Sequence, residues 1–494
     1  MRWRCVAILL PGIRCIGFWL SIVNACSRMR CADLFPSGKG RPSTPADVIA
    51  TVMVLQALEG LSDRDAVGQL RMSIAWKVAA GRSLSDEGFH STVLTLWRNK
   101  LRTSDRPQRI FDAVREVIDA TNVLTGKTRR ALDSTVLDDA VTRQDAIMQL
   151  VAQIRRVRRL IPAAKALELV AHDYDHDAGK PACAWNDRAD IDRVVTELVN
   201  DAHTILAALE HVELDDVQAE AVGLLALVAG QDVEPGDSDG TWRIAQVTRP
   251  DRIVSVVDPE SRHVHKTVHN YRDGFKAHIG VEPDTGLITA CELTAGNVGD
   301  AQAAPSLLAG ENEPVEVLAD SAYGSGGFRH HLAEHGHTAT IKPIPLKPAV
   351  TGGFSIDDFI IDTTVGIVTC PNGITTRISS HGYATFGVKC RGCPIRERCT
   401  TSATGRSVRV NDHHDLLAAA RAHALTPEFQ QPYRQHRPMV ERSIAWLIRR
   451  GGRKVRYRGI ARNRIGFAHR CAAINLGRLI NLGIGWDNNW MITT

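Results

Sequence analysis

Two apolar segments that are predicted to form strands each carry an aspartate. The segment ALDSTVLDDAV (131–141) holds Asp133 inside a β-rich run, and the segment VEVLAD (315–320) ends on Asp320. An ionised carboxylate at such a position is costly unless it is paired, hydrogen-bonded or bound to a metal ion. We therefore expect a fold that brings these strand ends to a polar site, although either acid alone is more simply a strand-end carboxylate that faces water.

A third acid, Glu441, falls in the first turn of an amphipathic helix that Pro438 is predicted to open. Two strand aspartates that converge with a helix glutamate suit two-metal phosphoryl transfer, because hard cations bind oxygen ligands. Paired ions about 4 Å apart activate the attacking oxygen and stabilise the leaving oxygen. Asp138 competes with Asp133 for the first position, and the residues alone leave that choice open.

A one-sided run of positive charge surrounds Glu441. Between residues 434 and 470 it is the only acid among twelve Lys and Arg, which are Arg434, Arg437, Arg442, Arg449, Arg450, Arg453, Lys454, Arg456, Arg458, Arg462, Arg464 and Arg470. Such a surface favours a polyanion, and nucleic acid is the commonest one. With Trp446 and Tyr457 among the cations, the run suits a surface that tracks phosphates better than a plainly solvated helix face.

The length of 494 residues allows two or three domains, and 44% hydrophobic with 23% charged residues is an ordinary globular composition. The scattered cysteines favour a reducing cytoplasm over a disulfide scaffold. In the first thirty residues, Pro11 and Arg14 interrupt the apolar stretch before it reaches the roughly 20 residues of a membrane span. We treat residues 1–31 as an atypical N-terminal segment and expect no membrane partner.

The region from Thr44 onward is predicted to form short helices. Thr44 is predicted to cap the first helix and Gly60 to end it, Ser62 and Asp65 form a capping-box pattern, and Ser91 begins a further helix. Such a bundle is either a helix-turn-helix-like DNA reader or an ordinary helical domain.

Residues 142–232 return to a helical pattern, and strands follow. The segments DRIVSVV (251–257), FKAHIGV (275–281) and LITACEL (287–293) read as strands, the last two joined by the turn PDTG. The segment HDYDHD (172–177) is interpreted as a solvated polar turn between helices, not as a metal site.

Four cysteines form the one spaced group, Cys370-x19-Cys390-x2-Cys393-x5-Cys399. This is a candidate tetrahedral thiolate site for structural Zn²⁺, and the alternative is four unligated cysteines in a small β element. A catalytic role is not expected for them.

Four strings in order along the chain carry a family resemblance: LDSTV, DPESRHVHKTVHNYRDGFKAHIGVEPDTGLITACELTAGNVGD, VLADSAYGS and RPMVERSIAWLIRRGGRKVRYRG. They resemble the successive blocks of insertion-sequence DDE transposases of the IS-eleven-eighty-two-like group. The resemblance implies a multi-domain α/β protein with a ribonuclease-H-like mixed-sheet core. It places Asp133 on the first core strand, Asp320 on the fourth and Glu441 on the following helix, as catalytic ligands of Mg²⁺ or Mn²⁺.

The same resemblance implies DNA contacts. Tyr433, Arg437, Glu441 and Arg449 approximate a Tyr-Arg-Glu-Lys signature whose basic side chains contact the transposon-end phosphate, with Arg in place of the usual Lys and one extra residue between Tyr and Arg. The DNA-binding residues predicted from the signature and the basic run are Tyr433, Arg437, Arg442, Arg449, Arg450, Arg453, Lys454 and Arg456. The partners are terminal inverted repeats and target DNA, and the assembly on DNA is a homodimer or larger.

The predicted organisation divides the chain into consecutive segments. These are the atypical segment 1–31, a helical DNA-binding domain (32–120), the first part of the catalytic core (121–141), a helical insertion (142–235), the second part of the core (236–348), a Cys-bearing β insertion (349–412), the end of the core with its basic helix (413–485) and a tail (486–494).

The expected function is metal-dependent strand cleavage and strand transfer by a transposase in a prokaryotic cytoplasm, associated with the nucleoid. Two alternatives stay open. One is an inactivated or domesticated transposase that only binds DNA, and the other is a ribonuclease-H-like nuclease without strand transfer.

Overall fold

The computed structural model describes residues 32–35, 44–247, 249, 251–267, 270–486 and 490–492, so the predicted segment 1–31 lies outside the described residues. The α-helices in chain order are α1 (Ala46–Glu59), α2 (Asp63–Met72), α3 (Ile74–Ala79), α4 (Thr92–Arg102), α5 (Arg109–Ala120), α6 (Ala146–Leu160), α7 (Pro162–Lys165), α8 (Arg188–Leu209), α9 (Asp216–Gln231), α10 (Asp300–Leu308), α11 (Gly326–Glu334), α12 (Arg396–Cys399), α13 (His414–His423), α14 (Pro427–His436), α15 (Pro438–Ile448) and α16 (Ile460–Asn481). None of these described helices is long and apolar enough to cross a membrane.

The strands in chain order are β1 (Arg129–Asp138), β2 (Val233–Pro235), β3 (Trp242–Ile244), β4 (Arg262–Thr267), β5 (Asn270–Val281), β6 (Ile288–Ala295), β7 (Glu316–Ala319), β8 (Thr338–Ile341), β9 (Ile360–Asp362), β10 (Ile367–Thr369), β11 (Thr375–Arg377), β12 (Tyr383–Thr385), β13 (Ser407–Arg409), β14 (Ile484–Trp486) and β15 (Trp490–Ile492).

One mixed sheet organises the fold. The long strand β5 pairs antiparallel with β1 along one edge and with β4 and β6 along the other. On its far side β1 pairs parallel with β7, and β7 pairs parallel with β8. The predicted hairpin between β5 and β6 is confirmed, and Gly286 at its turn has a φ of 74°, in the left-handed region that glycine adopts without strain.

The N-terminal helices follow the predicted local signals closely. Gly60 ends α1 with a φ of 73°, and the Ser62 hydroxyl accepts a hydrogen bond from the backbone N–H of Asp65 at 3.1 Å, which caps α2. The predicted start of α1 is wrong by one residue. Pro45, not Thr44, is the cap position, since its extended backbone (ψ 140°) precedes the first helical turn.

Four clusters of buried apolar side chains form the core. One joins α1 to α5 with one face of the sheet and with α15 and α16. A second lies among α6 to α9, a third packs α10 and α11 on the opposite face of the sheet, and a fourth lies within residues 354–410. The N-terminal helices therefore share a core with the sheet, and the segment boundaries above stay a prediction.

The strand predicted at 251–257 is wrong. Residues 253–256 are buried, but the segment forms turns, and only Ile253 in it makes an isolated β-bridge. Glutamine side chains take the place of a neighbouring strand: the N–H of Ile253 donates to Gln231 Oε1 at 2.8 Å, and that of Val256 donates to Gln144 Oε1 at 3.0 Å. The apolar pattern that reads as a strand thus reflects burial in the helical cluster.

Candidate active site

Asp133 and Asp320 lie at the same end of the parallel pair β1 and β7. The pairing matches Ala131 with Leu318, so continuing the register by two residues brings Asp133 beside Asp320, whose backbone is still extended. Ala131 and Leu318 belong to the same apolar cluster, and residues two apart along a strand share a face. The two carboxylates therefore project from one face of the sheet.

The helix α15 packs against β1 on that face and carries Glu441. Val440 and Leu447 anchor the helix in the core, while the Glu441 side chain is 65% exposed. Arg437, one turn earlier and only 6% exposed, connects the two elements. Its Nη2 lies 3.2 Å from Asp133 Oδ2 and its Nη1 lies 3.4 Å from Glu441 Oε1.

The charges of the predicted acids affect the pKa values of Asp133 and Tyr433. Burial raises the pKa of Asp133, and the charge of Asp320 raises it further, against the lowering effects of the Arg437 guanidinium and the Ser134 backbone N–H. Burial also raises the pKa of Tyr433, and the charges of Asp320, Glu441 and Asp133 act in the same direction. One phenol therefore interacts with all three predicted acids.

Asp138 has a different environment. It ends β1 five residues beyond Asp133, so its side chain leaves the opposite face of the strand. Its Oδ1 accepts a hydrogen bond from Arg272 at 3.0 Å. The fold thus brings Asp133, and not its rival, beside Asp320.

The chemistry of the donors fits a divalent cation, because three carboxylates supply the oxygen ligands that Mg²⁺ and Mn²⁺ prefer and two of them repel each other across the strand pair. Within the described ranges, no group of three or more His, Cys, Asp or Glu side chains is drawn together tightly enough to hold a metal ion. The Arg437 guanidinium lies between Asp133 and Glu441 and contacts both carboxylates.

Two family models match the chain. The model described as a transposase DDE domain matches residues 369–480, which include Glu441, and the model described as a transposase domain (DUF772) matches residues 21–100 at the N-terminal helices. The matches support an insertion-sequence DDE transposase. No curated protein and no solved structure matches the chain. A mixed sheet with antiparallel β1, β5 and β6 and parallel β7 and β8 is consistent with the ribonuclease-H-like core of such a transposase.

The predicted DNA-binding side chains differ in their exposure and in their contacts. Five are exposed, namely Arg442, Arg449, Arg450, Lys454 and Arg456. Two of these and the half-buried Arg453 also hold neighbouring backbone, with Arg450 donating to the carbonyl of Leu58, Arg456 to that of Gly60 and Arg453 to that of Val136. Tyr433 is half-buried, and Arg437, predicted at the DNA phosphates, lies among the acids instead.

A polar network on the other face of the sheet was not foreseen. Asp300, at the start of α10, accepts a hydrogen bond from the Ser134 hydroxyl at 2.8 Å and lies 3.3 Å from Lys276 Nζ. His278 is fully buried beside it, and burial lowers the pKa of His278 to about 4. The alternation of Lys276 and His278 along β5 was the sequence signal that could have indicated this network.

The four cysteines of the predicted zinc site face one small cavity of about 20 Å³. The backbone N–H of Arg406 donates to Cys390 Sγ at 3.4 Å. Burial raises the pKa of the Cys399 thiol, and the other three thiols act in the same direction while Arg406 lowers it. The donor set therefore has the thiol chemistry that zinc requires, although the cysteines are not drawn in to ligating distance.

Proposed function

We propose that this protein is a DNA transposase of the IS-eleven-eighty-two-like group. It binds the terminal inverted repeats of an insertion sequence and catalyses metal-dependent strand cleavage and strand transfer. The observation that carries the proposal is the β1–β7 register, which puts Asp133 beside Asp320 on the face where α15 presents Glu441. The match of residues 369–480 to a transposase DDE domain supports it independently.

Asp133, Asp320 and Glu441 are the residues that would hold Mg²⁺ or Mn²⁺. When bound, the ions activate the attacking oxygen and stabilise the leaving oxygen of an in-line displacement. Arg437 orients Asp133 relative to Glu441, because one buried guanidinium contacts both. The exposed cations Arg442, Arg449 and Lys454 hold the DNA backbone, which places a terminal phosphodiester at the carboxylates.

The reaction has two stages. Hydrolysis at the transposon end frees a 3′-hydroxyl, and that hydroxyl then attacks target DNA, so no covalent intermediate with the protein is expected. The N-terminal helices α1 to α5 would read the repeats, and a homodimer or larger assembly would hold two ends. A prokaryotic cytoplasm, at the nucleoid, is the place where such substrates are found.

Residues 349–412 would form an insertion with a structural zinc ion held by Cys370, Cys390, Cys393 and Cys399. The support is that all four thiols line one cavity and that a backbone N–H already donates to Cys390. Such a hydrogen bond to a ligating sulfur stabilises the thiolate form.

Strand cleavage with Mg²⁺ tests the activity, on duplex DNA that carries the sequences flanking the coding region. We expect Asp320→Asn and Glu441→Gln to reduce cleavage by at least about a hundredfold, the effect of removing one electrostatic contributor to a transition state. Asp138→Asn, whose carboxylate pairs with Arg272 outside the site, is the matched control and should retain cleavage.

The alternatives give other outcomes in the same assay. A protein that only binds DNA would shift the duplex without nicking it, and a nuclease would cleave without a joined product. Cleavage by both acid variants at the parent rate would contradict the proposed active site.

A further inference from the structure

A cavity of about 90 Å³ lies where α1 and α4 meet the basic segment 449–458 and α16. Four cationic side chains line it, namely Arg98, Lys454, Arg456 and Arg470. Among the described residues, no Asp or Glu does so. A concave surface whose charges have a single sign concentrates the electrostatic potential and attracts ions of the opposite charge.

Most of this positive charge is not neutralised inside the protein. Arg470 donates to the carbonyls of Leu447 and Arg449 at 2.9 and 3.0 Å, and Arg456 donates to those of the turn at residues 60 and 61. These acceptors are neutral. Burial lowers the pKa of Arg470 and the neighbouring Arg456 lowers it further, so the pair repel each other. Arg98 alone among the four pairs with a carboxylate, that of Asp63, within the described part of the chain.

A buried imidazole completes the wall. His469 is 4% exposed and lines the cavity, and its Nε2 has no hydrogen-bond partner in the part of the chain that the structure describes. Burial and the charge of Arg98 lower the pKa of His469 to about 3, so the ring is neutral. An unpartnered buried polar atom costs free energy that a ligand oxygen would recover.

We propose that this cavity binds a phosphate group. Its volume is ample for a tetrahedral oxyanion, since a water molecule needs only about 10–15 Å³. The guanidinium groups of Arg456 and Arg470 supply charge-assisted donors of the kind that recognise phosphate, and His469 Nε2 supplies a further polar atom. The phosphate comes either from the DNA backbone, in which case the site extends the proposed transposase function, or from free inorganic phosphate.

The position of the cavity gives the site a structural consequence. Its walls come from α1 and α4 on one side and from the basic segment and α16 on the other. A bound phosphate would neutralise cations from both sides at once. It would thereby strengthen the contact between the N-terminal helices and the helix that supports the sheet.

Gly466 offers a test that leaves every charge in place. It lies within α16 and lines the cavity, and a Cβ built there meets no atom within 4 Å. Gly466→Leu would therefore fill the cavity without a clash in the helix. Gly477→Leu is the matched control, because Gly477 lies in the same helix, also has free space at its Cβ, and is remote from the cavity.

Two measurements on the full-length chain compare these variants. Calorimetric titration with inorganic phosphate is expected to show one saturable site in the parent and in Gly477→Leu, weakened at least tenfold in Gly466→Leu. The second measurement is the binding constant for duplex DNA at a series of salt concentrations. Loss of one phosphate contact lowers the magnitude of the slope of the logarithm of this constant against the logarithm of the salt concentration by about one. Thermal unfolding confirms that both variants are folded.

Each outcome has a definite meaning. Displacement of phosphate by the duplex, or a lower salt slope in Gly466→Leu alone, identifies a backbone phosphate as the ligand. Phosphate binding that the duplex leaves unchanged identifies free phosphate. The proposal is overturned if Gly466→Leu and Gly477→Leu agree in both measurements. Neither the phosphate titration nor the duplex-binding measurement depends on strand cleavage. A failure of the proposed phosphate site can therefore be distinguished from a failure of the proposed transposase activity.

Discussion

The Nη2 atom of Arg437 lies 3.2 Å from Asp133 Oδ2, and both side chains are largely shielded from solvent. A buried charge pair is tolerated while it is intact and becomes costly once one partner is removed, because the remaining charge loses both water and counter-ion. Arg437 also contacts Glu441, so a single side chain connects the sheet to α15. The stability of this region and the geometry of the candidate site should therefore change together.

Substitution of Arg437 tests that connection. We expect Arg437→Gln to lower the free energy of unfolding by about 3 kcal/mol, measured by urea denaturation without metal, because Asp133 is left buried without its cation. Arg442→Gln, which replaces an exposed cation five residues further along, should change the free energy of unfolding by less than about 0.5 kcal/mol. Equal losses in the two variants would show that the ion pair does not stabilise the fold.

The buried His278 predicts a pH dependence of stability. Its pKa is about 4 in the folded protein because of burial, against an ordinary value of 6.5, so the unfolded chain binds more protons between these values. The protonation of His278 should therefore lower the free energy of unfolding by about 3 kcal/mol as the pH drops from 6.5 to 4.

His278→Gln should flatten this dependence, whereas His381→Gln, at an exposed position, should leave it as in the parent. Urea denaturation at a series of pH values measures both slopes. An unchanged slope in His278→Gln would exclude His278 as its source.

The cysteine cavity predicts a metal content. We expect about one zinc ion per chain by elemental analysis, lost in Cys390→Ser and Cys399→Ser and retained in Cys183→Ser, which lies outside the cavity. Chelation should then lower the melting temperature of the parent, because binding free energy contributes to folding. Full-length protein purified with zinc present but containing none would refute the site.

Tyr323 predicts a stabilising substitution. Its side chain is fully buried, and its hydroxyl has no hydrogen-bond partner among the described residues. Tyr323→Phe removes a buried polar atom without a loss of packing, so the free energy of unfolding should rise by about 1 kcal/mol. Tyr383→Phe, at an exposed tyrosine, is the control and should change little. If Tyr323→Phe instead lowered the free energy of unfolding, the Tyr323 hydroxyl would have a hydrogen-bond partner in solution.

Local signals predicted local structure well. The cap at Ser62, the left-handed end at Gly60 and the hairpin turn at Gly286 are confirmed, because each depends on residues within a few positions along the chain. The strand at 251–257 was predicted from apolar residues, of which Ile253, Val254 and Val256 are indeed buried. It failed because Gln144 and Gln231, distant in sequence, occupy the backbone groups that a strand would offer to a neighbour.

The amino-acid sequence by itself determined the chemical groups available, namely aspartates at two apolar strand ends, a glutamate in a first helical turn and an excess of arginine around it. Only the tertiary structure decided which of them meet. The parallel register of β1 and β7 selected Asp133 over Asp138, and the packing of α15 placed Arg437 between two carboxylates instead of at the surface. Register and helix packing depend on hydrogen bonds and apolar contacts between residues far apart in sequence, which no local pattern encodes.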